Sequence, residues 1–245
     1  MKKRSSKDGF TLIELLVVIA IIAVLASLVA GLSGTAGRKM KESRIQAEIA
    51  AIETAIEAYK AKFGHYPPDN PDNPVLNSLY YELTGALYSS TRGTFKDPMS
   101  GNIMSPKLIK ERFGVDGFVN GSKSKSELKK FYEPRPENVR HLSEEHGEDD
   151  TGHGHKSHHS DEVHVLCVPS PWPVSRDDQP VRIQGKMAKS VNPWRYVSGR
   201  PVNNIKKFDL WAEYVIGDEV WIISNWKSEP FRHSELSRYY KKRKR

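Results

Sequence analysis

The chain has 245 residues, enough for one hydrophobic core with a long terminal helix or a small second lobe, and one globular domain is the expectation. Its formal charge of +8 is partly an end effect, from Lys2, Lys3, Arg4 and Lys7 and again from Lys241, Lys242, Arg243, Lys244 and Arg245, so it does not imply a uniformly basic nucleic-acid surface. Cys167 is the only cysteine, which excludes an intrachain disulfide.

Residues 15–32, LLVVIAIIAVLASLVAGL, carry no charge. A helix of that length at about 1.5 Å per residue spans roughly 27 Å, close to the roughly 30 Å hydrocarbon core of a bilayer. The preceding basic residues are opposed only by Asp8, so the positive-inside rule predicts a single pass with a cytoplasmic N-terminus. A secretory signal peptide also joins a basic start to an apolar run. This run is longer than such a signal needs, and Glu14 stands at its edge. An acidic residue at a helix centre costs about 2.5–3.5 kcal/mol on insertion scales, and less toward the interface. Simple interfacial exposure of Glu14 is the plain alternative to a dedicated role.

Gly9-Phe10-Thr11-Leu12-Ile13-Glu14-Leu15-Leu16 resembles the prepilin processing signature of type IV pilins and type II secretion pseudopilins. The resemblance implies a cut between Gly9 and Phe10 by a prepilin peptidase/N-methyltransferase, methylation of the new Phe10 amine, and retention of the apolar helix. Gly9 has no side chain to obstruct a peptidase pocket. By the same resemblance, Glu14 is the counter-ion for the Phe10 amine of a neighbouring subunit, compensating a charge otherwise stranded among apolar helices.

Beyond Gly31 and Gly34 the pattern becomes amphipathic: Ile45, Ile49, Ile52, Ile56, Tyr59 and Phe63 recur at helical spacing among charged residues, which predicts one buried stripe against a sheet. Gly31, Gly34 and Gly37 each lower helix propensity by up to about 1 kcal/mol, so a bend, local melting or a short break is expected there. Gly64, followed by Pro67 and Pro68, supplies the stop. Residues 75–90, with Leu76, Leu79, Tyr80, Leu83 and Leu87, read as a short helix beside the long one. Residues 89–131 read as irregular, with short segments such as 106–113.

Gly64-His65-Tyr66-Pro67, Asn192-Pro193-Trp194-Arg195-Tyr196-Val197 and Phe208-Asp209-Leu210-Trp211 resemble elements of the major, G-type pseudopilin. On physical grounds alone, residues 208–216 and 219–224 around Gly217-Asp218 form a hairpin. Alternation puts Phe208, Leu210, Tyr214 and Ile216 on one face and Trp211 and Val215 on the other, so a face remains for neighbouring subunits. Trp194, Trp211, Trp221 and Trp226 suit packing better than a ligand groove. The resemblance would bring calcium to a C-terminal loop, but here a continuous strand pattern leaves only Asp218 and Glu219 at the turn, so no calcium site is carried over.

His141, His146, His153, His155, His158, His159 and His164 lie among Glu144, Glu145, Glu148, Asp149, Asp150, Asp161 and Glu162. Imidazoles and carboxylates can ligate zinc, copper or nickel, yet the spacing fits no defined site and a solvated loop is the simpler reading. Histidine protonation below about pH 6.5 would raise the charge of this insertion. The tail beyond Ser234 is expected to fray.

The expected fold is α+β: a long N-terminal helix, part transmembrane and part amphipathic, packed on a small C-terminal antiparallel sheet in the type IV pilin-like manner. The expected organisation is a leader at 1–9, a transmembrane helix at 10–34, its amphipathic continuation at 35–63, a globular domain at 64–230 with the insertion at 141–164, and a basic tail at 231–245. The site residues are Gly9 and Phe10 for processing and Phe10 and Glu14 for assembly, with no catalytic set, metal site or cofactor assigned. The resemblance implies a non-enzymatic filament subunit of a type II secretion pseudopilus in the inner membrane, its globular domain periplasmic. Its partners would be the peptidase, further copies of itself, minor pseudopilins, the inner-membrane assembly platform and membrane lipid, with nucleic acid not expected. Motility, adhesion or DNA uptake, and a membrane-anchored metal-binding protein using the histidine-rich loop, are the alternatives.

Overall fold

A computed structural model describes residues 10–143, 162–183, 185–237 and 240, with the side chains of residues 28–35 outside the description. By its internal contacts the chain divides into two units, residues 1–41 and 42–245.

Helix α1 (Leu12–Phe63) is assigned without interruption for 52 residues. Of the bend, local melting or short break expected at Gly31, Gly34 and Gly37, neither melting nor a break interrupts the assigned helix. Breaking a helix creates two new ends, each leaving up to four backbone groups unpaired, and that outweighs a propensity loss of about 1 kcal/mol per glycine. In the first unit the described apolar side chains from Leu12 to Leu25 are exposed. Among the described residues no helix is long and apolar enough to cross a membrane. The expected span at 15–32 runs into residues 28–35, whose side chains lie outside that description.

In the second unit the predicted stripe is buried: Ile45, Ile49, Ile52, Ile56 and Tyr59 join the main core, and Phe63 packs at its margin. The helix stops where expected, because Gly64 takes a left-handed φ of 82° that a side chain would disfavour while its N–H bonds the Lys60 carbonyl at 2.8 Å.

The segment at 75–90 departs from its reading. Helix α2 (Leu79–Thr84) has only six residues, and Leu87 lies instead on strand β1 (Ala86–Ser89). Its inward face is fixed by Glu82, which is wholly buried and accepts the Tyr59 hydroxyl at 2.9 Å and the N–H groups of Val119 and Asn120 at 3.0 Å each. Burial pushes the Glu82 carboxyl above its ordinary range despite those donors.

The stretch at 89–131 is also more ordered than expected. Strands β2 (Thr94–Lys96), β3 (Ile103–Met104) and β4 (Gly121–Ser122) form a sheet with β1 in the order β3-β2-β1-β4, the last pair parallel. Helix α3 (Pro106–Phe113) matches the predicted segment, starting at Ser105, whose hydroxyl accepts the Leu108 N–H.

Strands β5 (Val139–Leu142) and β6 (Val163–Leu166) pair antiparallel, followed by a small ribbon of β7 (Arg182–Ile183) and β8 (Lys186–Met187). The ends of the histidine-rich insertion, His141 and His164, are therefore strand residues facing each other in register. Residues 144–161, with the other five histidines, lie outside the described residues.

The predicted hairpin forms as β10 (Asp209–Ile216) and β11 (Glu219–Ser224), turning at Gly217 with a φ of 58°. With β9 (Arg195–Val197) and β12 (Phe231–Arg232) it makes a sheet in the order β12-β11-β10-β9. Phe208, Leu210, Ala212 and Tyr214 face the helix stripe, and the Tyr214 hydroxyl donates to Glu42 of α1 at 2.8 Å.

The opposite sheet face is not left for neighbours as expected. Val197, Trp211, Ile222 and Phe231 are covered there by Leu236 and Tyr240 of the C-terminal segment. At Leu236 and Tyr240 the segment is thus docked where fraying was expected, because an aromatic ring gains more by covering Trp211, 4.8 Å away centre to centre, than it loses in freedom. Residues 238, 239 and 241–245 lie outside the description. Trp194 and Trp211 are buried packing residues, as the sequence suggested.

Candidate processing and assembly site

The first described residue, Phe10, lies outside the helix with an exposed ring, and Gly9 lies outside the described residues. The helix begins at Leu12 because Thr11 caps it. The Thr11 hydroxyl accepts the Glu14 N–H at 3.3 Å, and the Thr11 carbonyl accepts the first helical bond from the Leu15 N–H at 3.2 Å. In return Glu14 Oε2 accepts the Thr11 N–H at 2.9 Å and the Thr11 hydroxyl at 2.6 Å. This is a reciprocal capping box, which pairs donors that the first turn of a helix otherwise leaves open.

The arrangement holds a carboxylate at the positive end of the helix dipole, four residues after Phe10. Both side-chain bonds use Oε2, and Oε1 accepts none among the described residues. A cation can therefore be met at Oε1 without dismantling the cap. Thr11, which caps the helix and holds Glu14, is a residue to which the sequence alone assigns no role of its own. Its signal was present in Thr11-Leu12-Ile13-Glu14, a threonine three residues before a glutamate at the head of an apolar run.

Elsewhere, buried polar groups serve the fold. Arg195 and Glu213 form an ion pair at 3.3 Å that is almost wholly buried, with Asn192 Oδ1 and the Pro193 carbonyl also accepting from Arg195. Burial pushes the Cys167 thiol up to about 12, so at neutral pH it is a packed thiol and not a nucleophilic thiolate.

A family model described as the prokaryotic N-terminal methylation motif matches residues 4–30. No curated protein and no solved structure matches the chain. The matched stretch contains Thr11 and Glu14 and ends well before the second unit. The motif supports a type IV pilin-like or pseudopilin subunit, and it implies processing by a prepilin peptidase and assembly with other pilin-like subunits. At its N-terminus this chain carries a prepilin signal of the type IV pilin-like kind.

Proposed function

We propose that the chain is a non-catalytic structural subunit of a type II secretion pseudopilus, nearest in kind to the major G-type subunit. It is cut between Gly9 and Phe10, held in the inner membrane by its apolar helix with the N-terminus cytoplasmic, and drawn into a filament with further copies of itself and minor pseudopilins. The observation that carries this reading is Glu14, held by Thr11 at the helix start inside the methylation motif. Support also comes from the buried stripe of α1 against the β10–β11 sheet. The apolar residues 15–32 support the membrane anchor.

The test is complementation of a strain lacking this chain. The wild type is expected to restore both export and filaments seen by electron microscopy. Glu14→Ala is expected to be processed normally yet to reduce filaments at least tenfold. Restoration of twitching or DNA uptake with export unaffected by the deletion would overturn the secretion reading.

A further inference from the structure

Outside the N-terminal site, the most unusual group of side chains sits where the histidine-rich insertion leaves and rejoins the fold. His141 on β5 and His164 on β6 are direct cross-strand partners, and their rings lie 4.1 Å apart centre to centre. Each ring meets a carboxylate through the same nitrogen. His164 Nδ1 is 2.6 Å from Asp97 Oδ2, and His141 Nδ1 is 2.6 Å from Glu162 Oε1.

Those carboxylates are themselves held. Asp97 Oδ1 accepts the Met99 and Ser100 N–H groups, and Glu162 Oε2 accepts from Asn102 Nδ2 at 2.8 Å. The His164 backbone N–H donates to the buried Tyr81 hydroxyl, and the Tyr80 ring packs 5.2 Å from the His164 ring. His164 is buried and His141 is more than half exposed, so the pair is open to solvent on the His141 side.

An imidazole that donates its Nδ1–H to a carboxylate keeps its lone pair on Nε2. Neither Nε2 has a hydrogen-bond partner among the described residues. A carboxylate behind an imidazole is the arrangement that fixes tautomer and orientation in histidine metal sites, and it raises the basicity of the ligating nitrogen. The two carboxylates also supply a charge of the right size to balance a divalent ion.

We infer that His141 and His164 form a cross-strand site for a divalent transition metal of the zinc, nickel or copper class, oriented by Glu162 and Asp97. Imidazole suits these ions and not calcium or magnesium. Among the described residues no three His, Cys, Asp or Glu side chains are placed to share an ion, so the pair contributes two ligands and water completes the shell. Glu162 and Asp97 act as positioning residues behind the rings. The inference does not rest on filament assembly, and binding would tie β5 to β6 at the root of the insertion whatever the filament does.

The test is zinc titration of the full chain in detergent, with binding measured by calorimetry and folding by circular dichroism. One zinc per chain is expected for the wild type. The same single equivalent is expected after His146, His153, His155, His158 and His159 are all changed to Gln. His141→Ala, on an exposed ring, is expected to weaken binding at least tenfold with the fold intact. Glu162→Gln keeps both rings and is expected to weaken it 10–100-fold, which a merely structural hydrogen bond would not do. Unchanged affinity in His141→Ala, or loss of all binding in the five-histidine variant, would overturn the site.

Discussion

At the scale of single residues, the polar groups that matter are each held by named partners, some a turn away and some far along the chain. Glu14 is held by Thr11 three residues away, so its place at the head of an apolar helix is partly compensated within the chain. Asp97 is different. Burial would raise its carboxyl, but His164 and the N–H groups of Met99 and Ser100 outweigh that and hold it below the ordinary carboxylate range.

A depressed folded-state value contributes stability that is complete above the unfolded value, near pH 4, and is lost as pH falls toward the folded one. Asp97→Asn is therefore expected to cost about 1–3 kcal/mol at pH 7, and the gap from wild type should shrink below about pH 4. Urea unfolding at pH 7 and 3.5, with EDTA present, checks this. A gap that widens in acid would reverse the sign of the account.

At the scale of elements, much was legible. The stripe from Ile45 to Phe63 has helical spacing, and Gly64 before two prolines marks its end. The β10–β11 hairpin announces itself by two strand-like runs around Gly217-Asp218. Strands β1 to β4 did not, because two to four residues are too short for a period of two to show, and β1 and β4 pair across more than thirty residues.

The C-terminal segment was misread for a related reason. Tyr240 looks like part of a basic tail, yet its hydroxyl meets Asp209, which also accepts the N–H groups of Val202, Asn203 and Asn204. Nothing in the local sequence of Tyr240 names that distant carboxylate. Tyr240→Phe is expected to cost about 1–2 kcal/mol and Tyr240→Ala about 3–5 kcal/mol in urea unfolding of the full chain. A frayed tail would leave both within about 0.5 kcal/mol of wild type.

At the scale of the whole molecule, two kinds of information meet in one chain. Residues 4–30 carry a motif readable residue by residue, because a processing signal is a short linear pattern. The second unit is specified by burial, with Glu82, Trp194 and Tyr214 brought from three separate stretches to the core that the α1 stripe joins. The His141–His164 pair was visible in the sequence only as the two ends of a histidine-rich run, since its register needs β5 and β6 to pair.

The joining claim is that the apolar helix stays with the domain after the leader is removed. Mass spectrometry of the chain from cells with and without the prepilin peptidase tests it most directly. With the peptidase, the chain is expected to begin at an N-methylated Phe10, and without it to retain residues 1–9. A chain still starting at Met1 in the presence of the peptidase, or one cut near Ala26 or Ala30, would contradict the account.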